Sequence, residues 1–239
     1  MSRACNWHSN CKSPLMRCFL VYLATCCICA AQSIAIGAIG GGRVTDDVVS
    51  FNTPESNLLV SGAPVFRVES RFYDVGPAIE IGLPHGLGVE FDALYHRQGF
   101  FYTFYHDTLY TTAGERDNTW EFPLLLKYRL RWLVFHPFVE AGVAPRTMSG
   151  RLTGTLQSDD ITLSPPSPLS LTMSYSPSVG FVAGGGLRFD LGHLRLEPQM
   201  RYTRWFTTPI SGLAGDILGS FSSNLNQADI FVGISWRLR

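Results

Sequence analysis

Cysteine is absent from this chain beyond Cys29. All six cysteines (Cys5, Cys11, Cys18, Cys26, Cys27 and Cys29) fall in the first 29 of 239 residues. The remainder therefore has no means of building a disulfide framework or a thiolate metal centre. An excess of one charge is also missing: 19 basic side chains balance 19 acidic ones, which argues against a nucleic-acid partner. Past residue 31 no apolar run approaches the roughly 18 residues of a membrane-spanning helix. Helical periodicity is weak, and 23 glycines and 14 prolines spread along the chain leave little room for long helices.

The first 31 residues are chemically distinct. Arg3, Lys12 and Arg17 precede an apolar stretch from Cys18 to Ala31 that ends on small residues. A positive start, a short apolar middle and a small-residue end describe a secretory signal peptide cut near Ala31, leaving residues 32–239 as the mature chain. The stretch is about 14 residues long, short of the ~20 that a spanning helix needs. Leu23-Ala24-Thr25-Cys26 also resembles a lipobox, in which Cys26 becomes an acylated first residue, although Thr25 is larger than the residue usual before that cysteine. Cleavage at Ala31 removes three basic and no acidic side chains, so the mature chain carries 16 basic against 19 acidic groups.

What the mature chain has in quantity is alternation. Successive side chains of a β-strand point to opposite faces. Between Leu194 and Phe206, Leu194, Leu196, Pro198, Met200, Tyr202 and Phe206 share one face, while Arg195, Glu197, Gln199, Arg201 and Thr203 share the other. Arg204 and Trp205 interrupt the rule near its end. Ile230, Val232, Ile234, Trp236 and Leu238 likewise oppose Asp229, Phe231, Gly233, Ser235 and Arg237. Trp120, Phe122, Leu124, Leu126, Tyr128 and Leu130 oppose Glu121, Pro123, Leu125, Lys127 and Arg129. A soluble antiparallel strand alternates over only about five or six residues. Runs of ~10 with a continuous apolar face are what a tilted strand needs to cross a bilayer.

Eight such strands are predicted, at about Ser33–Val44, Phe72–Leu83, Leu87–Phe100, Asn118–Leu130, Phe135–Ala144, Pro177–Leu191, His193–Phe206 and Gln227–Leu238. Their connections alternate in length. Pro84-His85-Gly86, Arg131 to Val134 and Gly192 are tight turns, whereas about 45–71, 101–117, 145–176 and 207–226 are predicted as long loops rich in Ser, Thr, Asn, Asp and Pro. That order fits an up-and-down barrel with both chain ends on the periplasmic side and every long loop outside. The expected fold is therefore all-β, an eight-stranded antiparallel up-and-down transmembrane β-barrel.

In this pattern, and in the placement of Gly233, Trp236 and Leu238 at its end, the chain resembles the small outer-membrane β-barrels of Gram-negative bacteria, of the OmpA-like eight-stranded type. The resemblance covers essentially all of residues 32–239. It implies residence in the outer membrane, contact with outer-membrane lipid and recognition by the barrel-insertion machinery. The assembly signal of such barrels usually finishes on an aromatic residue, whereas this chain finishes Trp236-Arg237-Leu238-Arg239. The resemblance implies no activity.

The alternation predicts an inward set of charges: Glu80, Glu90, Asp92, Glu121, Lys127, Arg129, Glu140, Arg188, Arg195, Glu197, Arg201, Asp229 and Arg237. Eight strands enclose an interior only wide enough for side chains, so these groups are expected to neutralise one another as a structural network rather than line a pore. Glu90 and Asp92 face that packed interior, which disfavours acid–base catalysis. His85, His96, His106, His136 and His193 have no ligand spacing and are expected as single turn, rim or loop residues. No catalytic residue, metal site or cofactor is assigned. Gly184, Gly185 and Gly186 lie within a strand with no helix following, so they fit a close approach of lumen side chains rather than a phosphate loop.

The expected role is non-enzymatic, structural or surface-interacting, by a monomer whose long loops engage an extracellular partner. Residues 101–117, with aromatic anchors, and the Pro- and Ser-rich stretch 145–176 are the surfaces expected for it, while the aromatic run Phe100 to His106 reads first as an aromatic girdle continued above the strand. A lipid-modifying enzyme on the same fold and a narrow channel stay open as alternatives. A soluble ligand-binding barrel would carry the opposite parity, apolar inside and polar outside.

Overall fold

The computed structural model describes residues 33–45, 48–52, 65–68, 71–106, 109–130, 135–158, 167–207 and 220–238. The predicted signal peptide with Cys26, the turn at Arg131 to Val134, and parts of the four long connections lie outside the described residues.

Fourteen β-segments run in chain order: β1 (Ser33–Arg43), β2 (Val48–Asn52), β3 (Val65–Val68), β4 (Tyr73–Gly82), β5 (Leu87–Asp92), β6 (Leu94–His106), β7 (Leu109–Glu121), β8 (Leu124–Arg129), β9 (His136–Ser158), β10 (Ser167–Ser174), β11 (Ser178–Leu191), β12 (Leu194–Trp205), β13 (Ser220–Ser223) and β14 (Asn226–Arg237). Pairing runs β9–β11–β12–β14–β1–β4–β5–β8 and returns to β9, every step antiparallel, so the sheet closes on itself. Closure removes the free edges that lipid could not satisfy.

Two predicted strands are each divided, and the cause is local. β5 and β6 are separated by Ala93, and β7 and β8 by Phe122-Pro123. Pro123 has no N–H to give to a ladder. The register survives both gaps, with Phe91 opposite Leu124 below and Leu94 opposite Glu121 above. Backbone bonds bridge them: Asp92 N donates to Pro123 O (3.1 Å), Ala93 N to Pro77 O (3.1 Å) and Phe122 N to Pro145 O (2.9 Å). Each pair is thus one barrel strand, and eight strands make the wall.

The ends of the barrel differ. At one end lie the start of β1, the end of β14 and the tight turns, with Ser33 opposite Gly82 and Ala35 opposite Arg237. The turn at Pro84–Gly86 needs left-handed backbone at His85 (φ 62°) and Gly86 (φ +84°), and Gly192 turns β11 into β12 with φ +69°. At the other end the ladder continues far beyond the barrel. β6 pairs β7 as far as His106 opposite Leu109, and β9 pairs β7 as far as Ser158 opposite Leu109. β3 and β10 flank this extension by pairing β6 and β9. The connections expected as loops at 101–117 and 145–176 are therefore largely β-structure. Their Thr, Ser and Tyr residues are strand formers that alternate, and pairing with an already ordered neighbour extends the ladder.

The faces divide as alternation requires. Leu126, Val139 and Met200 expose 54%, 61% and 61% of their surface, whereas their neighbours Leu125 and Lys127 expose none. Aromatics bracket the apolar belt, with Tyr95 and Trp120 (ring centroids 5.1 Å apart) toward the extended end. Phe135 with Phe189 (5.3 Å) and His193 with Trp236 (5.5 Å) bracket it toward the turns. Such girdles sit at the two membrane–water interfaces. The interruption expected at Arg204 and Trp205 does not occur. Alternation continues, so Trp205 turns inward at 1% exposure, and Arg204 turns outward to donate to Asn226 Oδ1 (2.5 Å).

Val232 sits mid-belt on β14 and faces out. The Val232→Arg barrel should lose about 2–4 kcal/mol of stability in urea titrations from lipid vesicles. An unchanged midpoint and slope would show that this face does not meet hydrocarbon.

Candidate functional site

The interior is organised in tiers, each contributed by strands from opposite sides of the wall. Nearest the turns, Glu80 of β4 is the common acceptor. Arg188 donates to it closely, Arg195 Nη1 stands at 3.5 Å and Arg129 Nη2 at 3.7 Å. Arg188 also donates to Glu197, and Arg195 Nε lies 3.3 Å from Asp190. Arg237, grouped by sequence with the interior charges, sits at the rim and donates to the Gly192 carbonyl (3.2 Å). It closes the turn rather than entering the network, because it stands at the last residue of the last strand.

The middle tier is built on two cations. Lys127 Nζ, fully buried, lies 2.5 Å from Glu90, 3.1 Å from Glu197, 3.5 Å from Glu140 and 4.0 Å from Glu80, with the Phe138 ring 4.5 Å away. Arg201 spends its whole guanidinium on acids: Nε to Glu140 (2.7 Å), Nη1 to Asp92 (2.6 Å) and Nη2 to Glu90 (2.6 Å). Carboxylate oxygens of Glu80, Glu90 and Glu197 lie within 4.8 Å of one another, as metal ligands would. The Lys127 ammonium already supplies the cation for them. Room for this tier comes partly from Gly184, where a Cβ would stand 3.0 Å from Glu140 Oε1 and 3.2 Å from Arg201 Cγ.

The third tier centres on Arg43. Its Nε donates to Asp229 (3.1 Å), and Nη2 reaches Glu121 (3.3 Å) and Asp74 (3.7 Å). Nη1 lies 3.2 Å from His96 Nε2, and His96 Nδ1 is 3.1 Å from Asp74. His96, expected at the rim, is thus 99% covered inside the barrel, since the strand carrying it runs on past the predicted end. Arg146 lies over the Trp205 ring (3.7 Å) and donates to Ser178 Oγ (3.1 Å). Arg43, Asp74 and His96 lie on the inward parity of their predicted strands, and only Arg146 falls inside a predicted loop. Continuing the parity of β9 by two residues past Ala144 finds it.

Above the Tyr95–Trp120 girdle a fourth group faces the lumen: Gln98, Glu115, Asp117 and Tyr175. Tyr175 donates its hydroxyl to Glu115 Oε1. Burial, then the neighbouring Glu115, pushes the Asp117 carboxyl up to about 8. Burial, then the bond to Glu115, drives the Tyr175 phenol above its usual range.

A closed, eight-stranded antiparallel wall with an apolar belt between aromatic girdles and a charged, filled interior defines the outer-membrane type of β-barrel. No family model and no curated protein matches the chain. Among solved structures, it is similar to the outer membrane protein OprG from Pseudomonas aeruginosa, at 12% identity and a TM-score of 0.51 over 88% of this chain and 97% of that one. The N-terminal β-barrel domain of Pseudomonas aeruginosa OprF aligns at 11% identity and a TM-score of 0.40, over 87% of this chain and 98% of that one. Neisserial surface protein A aligns at 9% identity and a TM-score of 0.34, over 85% and 96%. The likeness to OprG shows the fold alone.

Removing one partner of a buried ion cluster leaves the others uncompensated, which typically costs about 3–5 kcal/mol. Lys127→Met should destabilise by that order in denaturant unfolding followed by tryptophan fluorescence. Adding Glu90→Gln should recover part of the loss, and a double variant no better than the single one would separate Glu90 from Lys127.

Proposed function

We propose that the chain is a non-enzymatic, monomeric outer-membrane barrel whose wall is a scaffold and whose projecting β-hairpins meet an external partner. The observation that carries this reading is the lumen, where Lys127, Arg188 and Arg201 are each held between carboxylates from other strands. A wall of eight strands leaves no aqueous path once such side chains fill it. His96 is engaged by Arg43 and Asp74 rather than by a hydroxyl nucleophile, which weighs against the enzymatic alternative. The girdled belt supports outer-membrane residence, its exposed Leu, Val and Met side chains support lipid contact, and the barrel type supports delivery by the insertion machinery.

The narrow-channel alternative has one observation in its favour, a small void between Ala35, Ile39, Glu80, Glu90, Glu197 and Gln199. It lies among the interior charges, lined by Glu80, Glu90 and Glu197. The hairpins β6–β7 and β9–β10, continuous with the wall, offer a stiff surface beyond the membrane, and partners are commonly met by elements that a scaffold holds in place.

In planar bilayers the verified monomer should show at most small, infrequent conductance steps. Stable channels of porin size would overturn the filled-lumen reading. Replacing residues 100–112 by a short Gly-Ser turn should leave membrane insertion and heat-dependent gel mobility intact while lowering whole-cell adhesion. Unchanged adhesion after shortening both hairpins would reduce them to spacers.

A further inference from the structure

In the lower three tiers every acid lies within 4.0 Å of a cation, whereas in the fourth no described cation meets Glu115 or Asp117. Glu115, Asp117 and Thr119 follow one another on the inward face of β7, at 4%, 1% and 0% exposure. Neither Asp117 oxygen has a hydrogen bond of good geometry, with only the Glu115 carboxyl and the Gln98 amide close to it, and Thr119 Oγ1 has no hydrogen-bond partner. Three buried oxygens in sequence on one face are thus left without a well-placed donor. Such groups are costly unless something outside the chain satisfies them.

Nothing positive among the described residues supplies the missing charge. Arg43 lies in the tier below among Asp74, Glu121 and Asp229, and Arg146 lies between Ser178, Glu121 and the Trp205 ring. Arg97, Arg116 and Arg151 belong to the opposite, outward parity of β6, β7 and β9. The groups that do face Asp117 are neutral or acidic. Gln98 is its cross-strand partner on β6 and turns its Oε1 toward His96 Nε2 (3.4 Å), Glu115 precedes it, and Tyr175 bonds to Glu115.

The backbone also makes room for the pair. Gly150 is the partner of Asp117 on β9, and a Cβ there would fall 1.7 Å from Asp117 Oδ1. The carboxylate occupies the space that any other residue at 150 would fill, which holds it toward the lumen beside Glu115.

We propose that Glu115 and Asp117, with the Thr119 hydroxyl on the same inward face, bind a divalent metal cation at the outer mouth of the lumen. Two carboxylates with a hydroxyl oxygen form a hard, all-oxygen donor set, which suits calcium better than zinc or copper. Calcium accepts irregular ligand arrangements at 2.3–2.6 Å, whereas magnesium demands a near-ideal octahedron and keeps its waters. The ion would sit on β7 above the membrane, beside Tyr175 of the segment after β10, where the projecting hairpins leave the wall.

Terbium(III) takes the place of calcium at oxygen sites and emits when an excited tyrosine lies close by, as Tyr175 does here. Full-length mature barrel, refolded in detergent free of lipopolysaccharide, should show saturable sensitised emission that calcium displaces and magnesium displaces at least tenfold less well. Asp117→Asn and Glu115→Gln should each weaken calcium competition tenfold or more, with heat-dependent mobility confirming that the barrel remains folded. Absence of saturable emission from the unaltered barrel overturns the site whatever the variants do, and leaves the two acids sharing a proton. Emission unchanged in both folded variants overturns it as well, by placing the ion elsewhere.

Discussion

Eight strands can close only around a cylinder too narrow for bulk water, so a charge that points inward must find its counter-charge across the lumen. That constraint governs the rest of the molecule. Lys127 and Arg201 satisfy it by gathering acids from β4, β5, β9 and β12, strands that are far apart in sequence and on different sides of the wall. Buried ion pairs seldom add net stability, because desolvation consumes most of the attraction. Their effect here is on geometry. A strand displaced by one residue would turn its charges into lipid and its apolar side chains into the lumen, so the network and the belt fix the same register.

The barrel is polar along its axis as well as across its wall. Toward the turns, hydrogen bonds such as Arg237 to the Gly192 carbonyl close the structure tightly. Toward the extended hairpins the compensation thins, from clusters in which each cation meets several acids to the Glu115–Asp117 pair with no cation facing it. The membrane explains the gradient. Where the outer face meets hydrocarbon, uncompensated charge inside has no route to solvent. Beyond the girdle the outer face carries the polar side chains Arg116 and Asn118.

Alternation made the wall readable because its period of two is imposed by the backbone and survives any choice of side chain. Leu194 to Met200 and Ile230 to Trp236 announce which face meets lipid before any partner strand is known. The same rule overreached at Arg204 and Trp205, where residue type suggested an interruption that the structure lacks. A tryptophan can turn inward when an arginine lies across its ring, as Arg146 does, and that arginine comes from a segment with the composition of a loop. Polar composition was a poor guide to strand ends for the same reason. Thr and Ser in 145–158 are equally at home in a loop or in a strand lying beside β7 above the membrane.

By itself, then, the sequence determined the class of fold, the lipid-facing side of each spanning strand and the inward direction of most charges, since these follow from local period and polarity. Only the tertiary structure decided which acid meets which cation, that Arg146 belongs to the interior, that the hairpins continue as sheet, and that no described cation meets Asp117. Those facts depend on the stagger between strands, which brings Arg43 opposite Asp229 and Lys127 opposite Glu140. Stagger is set when the barrel closes, by all eight strands at once, and no single stretch of chain encodes it.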